Sequence, residues 1–426
     1  MMNTIFDAYT KILTEELKPA IGCTEPVAIA FASASAAKAL GTSFTSITVK
    51  CSGNVVKNVK SVTVPNSGGM KGIEAAALLG ALGGNASLHL KVLSTVTDEI
   101  RNKVKEIVNS GICKVILAED IPGLYISVTA ENGSDSATAV LKECHDELYS
   151  LSKNGKLIIN NGTKENSDDN LDELRKLLNL KDILSYAKNV EIDEIRKPLK
   201  RQVELNRAIA EEGLRKNYGC SIGKTLKKLY DWDDVRIRAR AYASAGSDAR
   251  MSGCSLPVVI NSGSGNQGLT VSLPVVEYGE YLRSTEEEVL RALALSNLVA
   301  IHQKKYIGPL SAYCGAVSAS AGASAGIAYL MGGEEAEISK AISNTLAMVG
   351  GIVCDGAKAS CAAKISSSLE AAILAMEMSL EEKTAFQSGD GLVKKDIEKT
   401  IEAFGKMGKE GMRETDKEIL NLMLED

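Results

Sequence analysis

The sequence predicts an α+β fold, in which a small βαββαβ domain is inserted into a mostly helical body. Runs of alternating β-branched residues are found between residues 46 and 160, so strands are expected there. From Leu171 onward the chain reads as a succession of helices, with one Gly/Ser-rich interruption at 245–268. The 37 glycines and the aromatic content of only 4% further indicate a core of small side chains and closely spaced backbones.

The chain is expected to begin with part of the helical body. An amphipathic helix over 3–18 is followed by a loop at 19–26 and by a helix of small residues that stops at Gly41, a usual C-terminal residue. Residues 46–65 alternate β-branched side chains and therefore predict strands. A Gly-rich turn at 66–72 then opens another helix.

The next stretch predicts the small domain. Its elements follow the split-βαβ or ferredoxin-like order: strand 88–93, helix 95–111, strands 113–119 and 124–131, helix 134–148 and strand 155–160. A polar run at 160–170 is expected to be a linker. The predicted parts are residues 1–85 as the N-terminal part of the body, 86–163 as the inserted domain and 164–426 as the helical C-terminal part.

Charge and hydropathy argue against several partners. The net charge is −5 and no long basic run exists, so nucleic acid is not an expected partner. The uncharged stretch 306–333 is long enough to span a membrane, but Ala, Gly and Ser dominate it, so a buried helix is expected. The first residues lack the pattern of a signal peptide, which predicts a cytoplasmic protein whose nine cysteines are reduced.

Cys23 is the first candidate for chemistry. Pro26 is favoured in the first turn of a helix, which would place Cys23 just before a helix N-terminus. Exposed amides and the helix dipole favour a thiolate at that place. A buried cysteine in a loop is the alternative interpretation.

The late cysteines Cys314, Cys354 and Cys361 form the second candidate. Their spacing differs from the short pairs of structural zinc sites. Three thiolates on two loops are able to hold a [4Fe-4S] cluster whose fourth iron stays open, and neighbouring glycines would let the backbone approach it. Three buried cysteines in a core of small residues remain the alternative.

Two Gly/Ser/Asn-rich loops, at 66–69 and 261–268, offer amides and hydroxyls to an anion such as phosphate or carboxylate, although either is equally consistent with a plain turn. Structural positions are expected for Cys51, Cys113, Cys144, Cys220, His89, His145 and His302.

In combination these motifs resemble the L-cysteine desulfidase family, a branch of the iron–sulfur serine dehydratase-like proteins. The resemblance covers essentially the whole chain in the same order and rests on G-C-T-E-P at 22–26, N-S-G-S-G-N-Q-G at 261–268, Y-C-G at 313–315 and C-D-G-A-K-A-S-C at 354–361. It implies that Cys23 is the catalytic base. It also implies that a [4Fe-4S] cluster is bound by Cys314, Cys354 and Cys361.

The activity implied by the resemblance is the β-elimination of L-cysteine, a carbon–sulfur lyase reaction that yields pyruvate, ammonia and sulfide. The open iron would act as a Lewis acid on the leaving group, and Cys23 as thiolate would remove the α-proton. The substrate, a small amino acid, would be bound by residues of the two loops: Asn66, Ser67, Ser262, Gly263, Gly265 and Asn266. The Cys-containing motif at 22–26 favours L-cysteine over L-serine, which is the alternative substrate. Homo-oligomerisation is left open.

Two other functions compete with this one. A pyridoxal-phosphate lyase would use the loop at 261–268 for phosphate and Lys71 as its best available Schiff-base lysine. A non-catalytic redox sensor would use Cys354 and Cys361 as a thiol pair.

Overall fold

Helices build the body of the protein in a computed structural model, which describes residues 2–119, 121, 123–161, 171–308 and 310–425. The elements of the first part are α1 (Met2–Glu16), β1 (Pro19–Ile21), α2 (Thr24–Leu40), β2 (Ser46–Ser52), α3 (Gly53–Val59), α4 (Gly72–Gly83) and α5 (Asp98–Ile107). The strands β3 (Cys113–Ala118), β4 (Tyr125–Asn132), β5 (Asp135–Lys142), β6 (Ser150–Lys153) and β7 (Lys156–Asn160) follow.

The second half is helical apart from one short strand. Its elements are α6 (Leu171–Lys176), α7 (Leu180–Asn189), α8 (Ile192–Arg215), α9 (Ile222–Leu229), α10 (Val235–Met251), β8 (Pro257–Val259), α11 (Gly265–Leu282), α12 (Glu286–Ile307), α13 (Gly315–Leu330), α14 (Glu335–Val349), α15 (Cys361–Leu380), α16 (Ile397–Lys406) and α17 (Arg413–Glu425). With 62% of the structure helical beside a mixed sheet, the predicted α+β class with a helical body is confirmed.

The main sheet has six strands in the order β3-β2-β4-β5-β6-β7. Only the pair β2–β3 is parallel, and Val49 of β2 lies between Val115 and Val128 of its two neighbours. Alternate residues of β4 and β5 are buried, and helix α2 packs against both strands. The sheet thus has one face on the helical body, as alternating strands require.

The sheet differs from the predicted βαββαβ order. The expected strand at 88–93 lies in a 3-10 segment, Ala86–Thr95, which is broken at His89 with φ of +46°. The expected helix at 134–148 is also wrong, because its first half is β5, paired along its whole length with β4. Strand β2 from the first 85 residues lies inside the same sheet. The domain boundaries at residues 85 and 163 stay a prediction, and the expected linker lies mostly outside the described residues.

Small residues allow the helices of the body to approach closely. A Cβ placed on Gly322 of α13 would lie 2.5 Å from the carbonyl oxygen of Ser296 in α12. A Cβ on Gly326, one turn further on, would lie 2.9 Å from the carbonyl oxygen of Ala292. Helix α13 is the buried helix expected within 306–333. No single described helix is long and apolar enough to cross a membrane; α4 and the adjacent 3-10 segment reach that length only together, across a bend of 106°.

A small separate apolar cluster lies between α9 and α10. Leu226, Ile237 and Ala241 form its buried part, and Trp232 packs against them. The Nζ of Lys227 lies 4.7 Å from the centroid of the Trp232 ring. This cluster is distinct from the main core that runs through the body and the sheet.

Two short backbone pairings bring distant motifs together. Strand β1 pairs antiparallel with β8, and the hydroxyl of Thr24 at the start of α2 donates to the carbonyl of Gly263 in the loop before α11 at 3.0 Å. An isolated bridge between Tyr313 and Val353 places the start of α13 beside the loop that precedes α15. Near the C-terminus, α17 packs against α3, where Asp416 forms an ion pair with the buried Lys57.

Candidate active site

The four cysteines singled out in the sequence, Cys23, Cys314, Cys354 and Cys361, all line one cavity of about 110 Å³. They come from the start of α2, the start of α13 and the segment that leads into α15. The remaining five cysteines do not line this cavity. The fold therefore assembles one thiol-rich site from regions that are far apart in the sequence.

Backbone contacts fix the three late cysteines around the cavity. The amide of Cys314, the N-cap residue of α13, donates to the carbonyl of Ile352 at 3.0 Å. The amide of Cys354 donates to the carbonyl of Ala312 across the same short bridge, at 2.6 Å. Cys361 begins α15, and its Sγ lies 3.5 Å from the amide nitrogen of Lys358. The three thiols are thus held by main-chain geometry.

Burial disfavours ionisation of the Cys314 and Cys361 thiols. Burial raises the pKa of Cys314 to about 12, and the neighbouring Cys354 and Cys361 add to the effect. Burial also raises the pKa of Cys361, which Lys364 and Arg250 partly oppose. A metal centre would reverse this balance, because a coordinated thiol is deprotonated.

The candidate donors are thiols, which are the usual ligands of iron–sulfur clusters. Within the described residues, no group of three His, Cys, Asp or Glu side chains is arranged to hold one metal ion. A [4Fe-4S] cluster has a different requirement, because each iron takes its own thiolate and the sulfurs surround the cluster instead of meeting at a point. Three free thiols around one cavity, with Gly356 at φ of +95° between two of them, meet that requirement.

The surroundings of Cys23 favour the protonated thiol. Cys23 is the N-cap residue of α2 and is only 2% exposed, and its Sγ donates to Oε2 of Glu25 at 2.9 Å. Burial raises the pKa of Cys23 well above its ordinary value, and the charge of Glu25 adds to the rise. Burial and the neighbouring Glu25 thus oppose the thiolate expected from the helix N-terminus, and Cys23 as the catalytic base stays a prediction.

Glu25 is a buried carboxylate at the centre of a small polar network. The Nδ2 of Asn58 donates to its Oε1 at 2.8 Å, and the Nε2 of His145 lies 3.9 Å from the same oxygen. Burial alone would raise the pKa of Glu25, but hydrogen bonding and charge from His145 and the Cys23 thiol hold it well below its ordinary value. An ionised Glu25 is thus the hydrogen-bond acceptor of the Cys23 thiol.

The Gly/Ser/Asn loop predicted at 261–268 lies beside the start of α2, where the hydroxyl of Thr24 donates to the carbonyl of Gly263 at 3.0 Å. Ser262, Gly263 and Asn266 line the cavity, whereas Gly265 lies against Arg250. Ser262 is already engaged, because its amide donates to Glu16 and its hydroxyl to Asn261. The Oδ1 of Asn266 has no partner within the described chain.

The structure does not bring the other expected loop to the site. The Nδ2 of Asn66 donates to the carbonyls of Leu93 and Val96, and the hydroxyl of Ser67 donates to the carbonyl of Met70. Neither residue lines the cavity, because both organise the turn before α4. Lys71, the candidate Schiff-base lysine, is exposed and also lies outside the cavity.

Two buried cations at the cavity had no sequence signal. Arg250 near the end of α10 is 3% exposed, and Lys304 near the end of α12 is 8% exposed. Neither side chain has a hydrogen-bond or ion-pair partner within the residues that the structure describes. Burial lowers the pKa of Lys304 to about 8, against the opposing influence of Cys354, Cys314 and Glu16.

A larger cavity of about 700 Å³ adjoins the first. Residues common to both linings are Thr24, His145, Ser262, Gly263 and Lys304. The outer cavity also carries paired charges, such as Lys18 with Asp146 and Arg175 with Glu16. Its position makes it the approach to the thiol-rich cavity.

Comparison with known proteins gives consistent matches. A family model for the serine dehydratase alpha chain matches residues 87–421. The chain is 51% identical over 413 residues to a UPF0597 protein of Lachnoclostridium phytofermentans, which covers 97% of this chain and 98% of the relative. UPF0597 proteins of Finegoldia magna and Treponema denticola are 46% and 45% identical, covering 98% and 99% of this chain and 99% and 98% of theirs.

Proposed function

The chain belongs to the serine dehydratase alpha chain family of lyases, and from this premise we propose that it is an L-cysteine desulfidase that depends on a [4Fe-4S] cluster. The observation that carries the proposal is the meeting of Cys23 with Cys314, Cys354 and Cys361 around one cavity. L-Cysteine as the substrate rests on the G-C-T-E-P motif at 22–26. L-Serine, the substrate in the family's name, is the second candidate.

Cys314, Cys354 and Cys361 would hold the cluster, which when bound supplies a Lewis acid for the sulfur that leaves the substrate. Positive charge around the site comes from four lysines near these thiols: Lys57, Lys304, Lys358 and Lys364. Lys57 donates to the carbonyl of Cys354 at 3.2 Å and so also holds the ligand segment.

Proton transfer falls to Cys23 and Glu25. Cys23 takes the proton from the α-carbon while its own thiol proton passes to Oε2 of Glu25, along the existing hydrogen bond of 2.9 Å. The electron pair of the C–H bond forms the new Cα–Cβ double bond as the Cβ–S bond breaks and sulfide leaves. The aminoacrylate product tautomerises to an imine, and water hydrolyses the imine to pyruvate and ammonia.

Anaerobic reconstitution with iron and sulfide, followed by turnover with L-cysteine and L-serine, tests the proposal. We expect equal amounts of pyruvate and ammonia from L-cysteine, together with sulfide. The Cys354→Ala variant is expected to lose this activity, whereas Cys220→Ala, which changes an exposed cysteine outside the cavity, is expected to retain it. Pyruvate from L-serine alone would overturn the choice of substrate, and no product from either would overturn the lyase.

We also propose that the protein acts in the cytoplasm, where reduced thiols are available as cluster ligands, and that small molecules are its partners.

A further inference from the structure

Arg250 is an arginine whose charge is not compensated by the protein. Its side chain is buried, it lines the thiol-rich cavity, and its Nε has no hydrogen-bond partner within the described residues. Arg238 and Arg240, on the same helix, are both paired, with Glu277 and Glu370. Because an unpaired buried charge is strongly destabilising, a bound anion is the expected partner of Arg250.

The start of helix α11 lies directly against this arginine. A Cβ placed on Gly265, the first residue of α11, would lie 2.4 Å from the Nε of Arg250. The preceding Ser264 makes no side-chain cap. The first amides of a helix have no partners inside the helix, and the dipole favours an anion there. Arg250 and the N-terminus of α11 therefore present their donors to the same part of the cavity.

This anion site adjoins the base and one cluster ligand. Cys23 and Cys361 line the same cavity as Arg250. An anion bound at Arg250 would thus sit within reach of both thiols, as the carboxylate next to the reacting α-carbon must.

We propose that Arg250 and the N-terminus of α11 bind the α-carboxylate of the substrate. This assignment rests on the proposed lyase function and narrows the substrate class to α-amino acids with a free carboxylate and a β-leaving group. A guanidinium fork matches a carboxylate with two parallel hydrogen bonds, which fixes the orientation of the α-carbon as well as its position. Amines and amino-acid amides that carry the same leaving group are excluded as good substrates.

Binding of two non-identical thiols to the reconstituted protein tests the assignment without turnover. The first, 3-mercaptopropionate, carries a carboxylate, and the second, cysteamine, carries an ammonium in its place. A charge-assisted contact is worth about 1.5–3 kcal/mol. The Arg250→Gln variant is therefore expected to bind 3-mercaptopropionate with an affinity about 10- to 150-fold lower than that of the wild type. Affinity for cysteamine is expected to stay at the wild-type level.

Two further variants guard against a folding defect. Arg250→Lys keeps the positive charge but loses the two-pronged guanidinium group. It is expected to lower the affinity for 3-mercaptopropionate less than Arg250→Gln does. Gly265→Ala places a methyl group of α11 against the guanidinium of Arg250. It is expected to lower the affinity for 3-mercaptopropionate and to leave that for cysteamine unchanged. Arg240→Gln, on the same helix but outside the cavity, is the matched control and is expected to bind both thiols normally.

The outcomes separate this assignment from the lyase proposal. Wild-type affinity of Arg250→Gln for 3-mercaptopropionate, or an equal loss for both thiols, would overturn the carboxylate site. If neither L-cysteine nor L-serine is turned over but the two thiols are still discriminated through Arg250, the anion site stands and the lyase falls. If Arg250→Gln turns over L-cysteine normally with an unchanged KM, the lyase proposal stands and the carboxylate site at Arg250 is wrong.

Discussion

At Cys23 two effects of opposite sign act on the same thiol. A helix N-terminus stabilises a nearby negative charge by about 0.3–1 kcal/mol, which is less than one pKa unit. Burial shifts the pKa of an ionisable group by up to about 3–5 units. The thiol is almost wholly buried and donates to Glu25, so burial outweighs the helix N-terminus and favours the protonated form.

Replacing Cys23 separates a base from a cluster ligand. Cys23→Ala is expected to lower turnover of L-cysteine by about 10²-fold or more while the cluster absorbance stays at the wild-type level. Cys23→Ser is expected not to restore activity, because a hydroxyl is a far weaker base than a thiolate. Loss of the absorbance band in Cys23→Ala would instead make Cys23 a ligand and contradict the proposed assignment.

Glu25 is expected to be as important as Cys23 for proton removal. Glu25→Gln keeps the shape and an oxygen for the hydrogen bond from Asn58, but an amide cannot take the thiol proton. We expect kcat to fall by about 10²-fold with iron content unchanged. Glu143→Gln, in an exposed residue of the outer cavity, is the control. Wild-type kcat in Glu25→Gln would show that the Cys23 proton leaves by another route.

Some of the site residues could be predicted from the sequence, and others could not. Cys23 and the late cysteines lie in short motifs, so the sequence marks them as candidate site residues. His145 and Arg250 have no such motif, because a loop after β5 and the end of α10 meet at the cavity only through tertiary packing. A lone arginine in a sequence carries no sign that its side chain will have no partner among the described residues.

Among the elements, β5 shows where local interpretation failed and what signal was missed. Ala137, Ala139 and Leu141 are buried at every second position, which is a strand pattern. Asn132-Gly133 before it is a strong hairpin signal, and Gly133 has φ of +60°. The β1–β8 pairing, by contrast, is too short and too distant in sequence for periodicity to reveal it.

The contact between α9 and α10 predicts a pH effect on stability. Asp248 of α10 accepts a hydrogen bond from the amide of Gly223 at 3.2 Å, but burial raises the pKa of Asp248 to about 6. The folded state therefore holds this proton where the unfolded chain has already lost it. The contribution of Asp248 to stability is largest below about pH 4 and falls as the pH rises to about 6.

Asp248→Asn removes this titration while keeping an oxygen for Gly223. We expect the decrease in the free energy of unfolding between pH 4 and pH 7 to be smaller in the variant by about 2 kcal/mol. Denaturant unfolding at several pH values measures the difference. Asp231→Asn, in the exposed turn before α10, is the control. Identical pH profiles for Asp248→Asn and the wild type would contradict the expected sign.

At the scale of the whole molecule, the cluster would tie the start of α13 to the segment that leads into α15. A ligand that binds only the folded state at 100 times its Kd stabilises it by about 2.7 kcal/mol. Reconstitution under anaerobic conditions is therefore expected to raise Tm, and Cys314→Ala is expected to lose that increment. Calorimetry of both forms measures it, with Cys220→Ala as the control; an equal rise in Cys314→Ala would contradict the ligand assignment.

The overall architecture was predictable in class but not in assembly. The composition predicted the close helix packing seen at Gly322. A core with few aromatic side chains reaches normal packing density only when its helix backbones lie close together. The thiol-rich cavity depends instead on β1, β8 and the bridge between Tyr313 and Val353. Each involves only a few residues, so no periodic pattern marks it in the sequence.

The chain has a single tryptophan, and its place in the small cluster between α9 and α10 makes it a selective optical reporter. Trp232 lies in a satellite core, 5.9 Å from the ring of Tyr242, and does not line the thiol-rich cavity. Its fluorescence should follow the separation of α9 from the body and should be insensitive to events around the cysteines. Tryptophan emission and far-ultraviolet circular dichroism, recorded along one denaturation curve, would therefore show whether the cluster between α9 and α10 unfolds before the other helices.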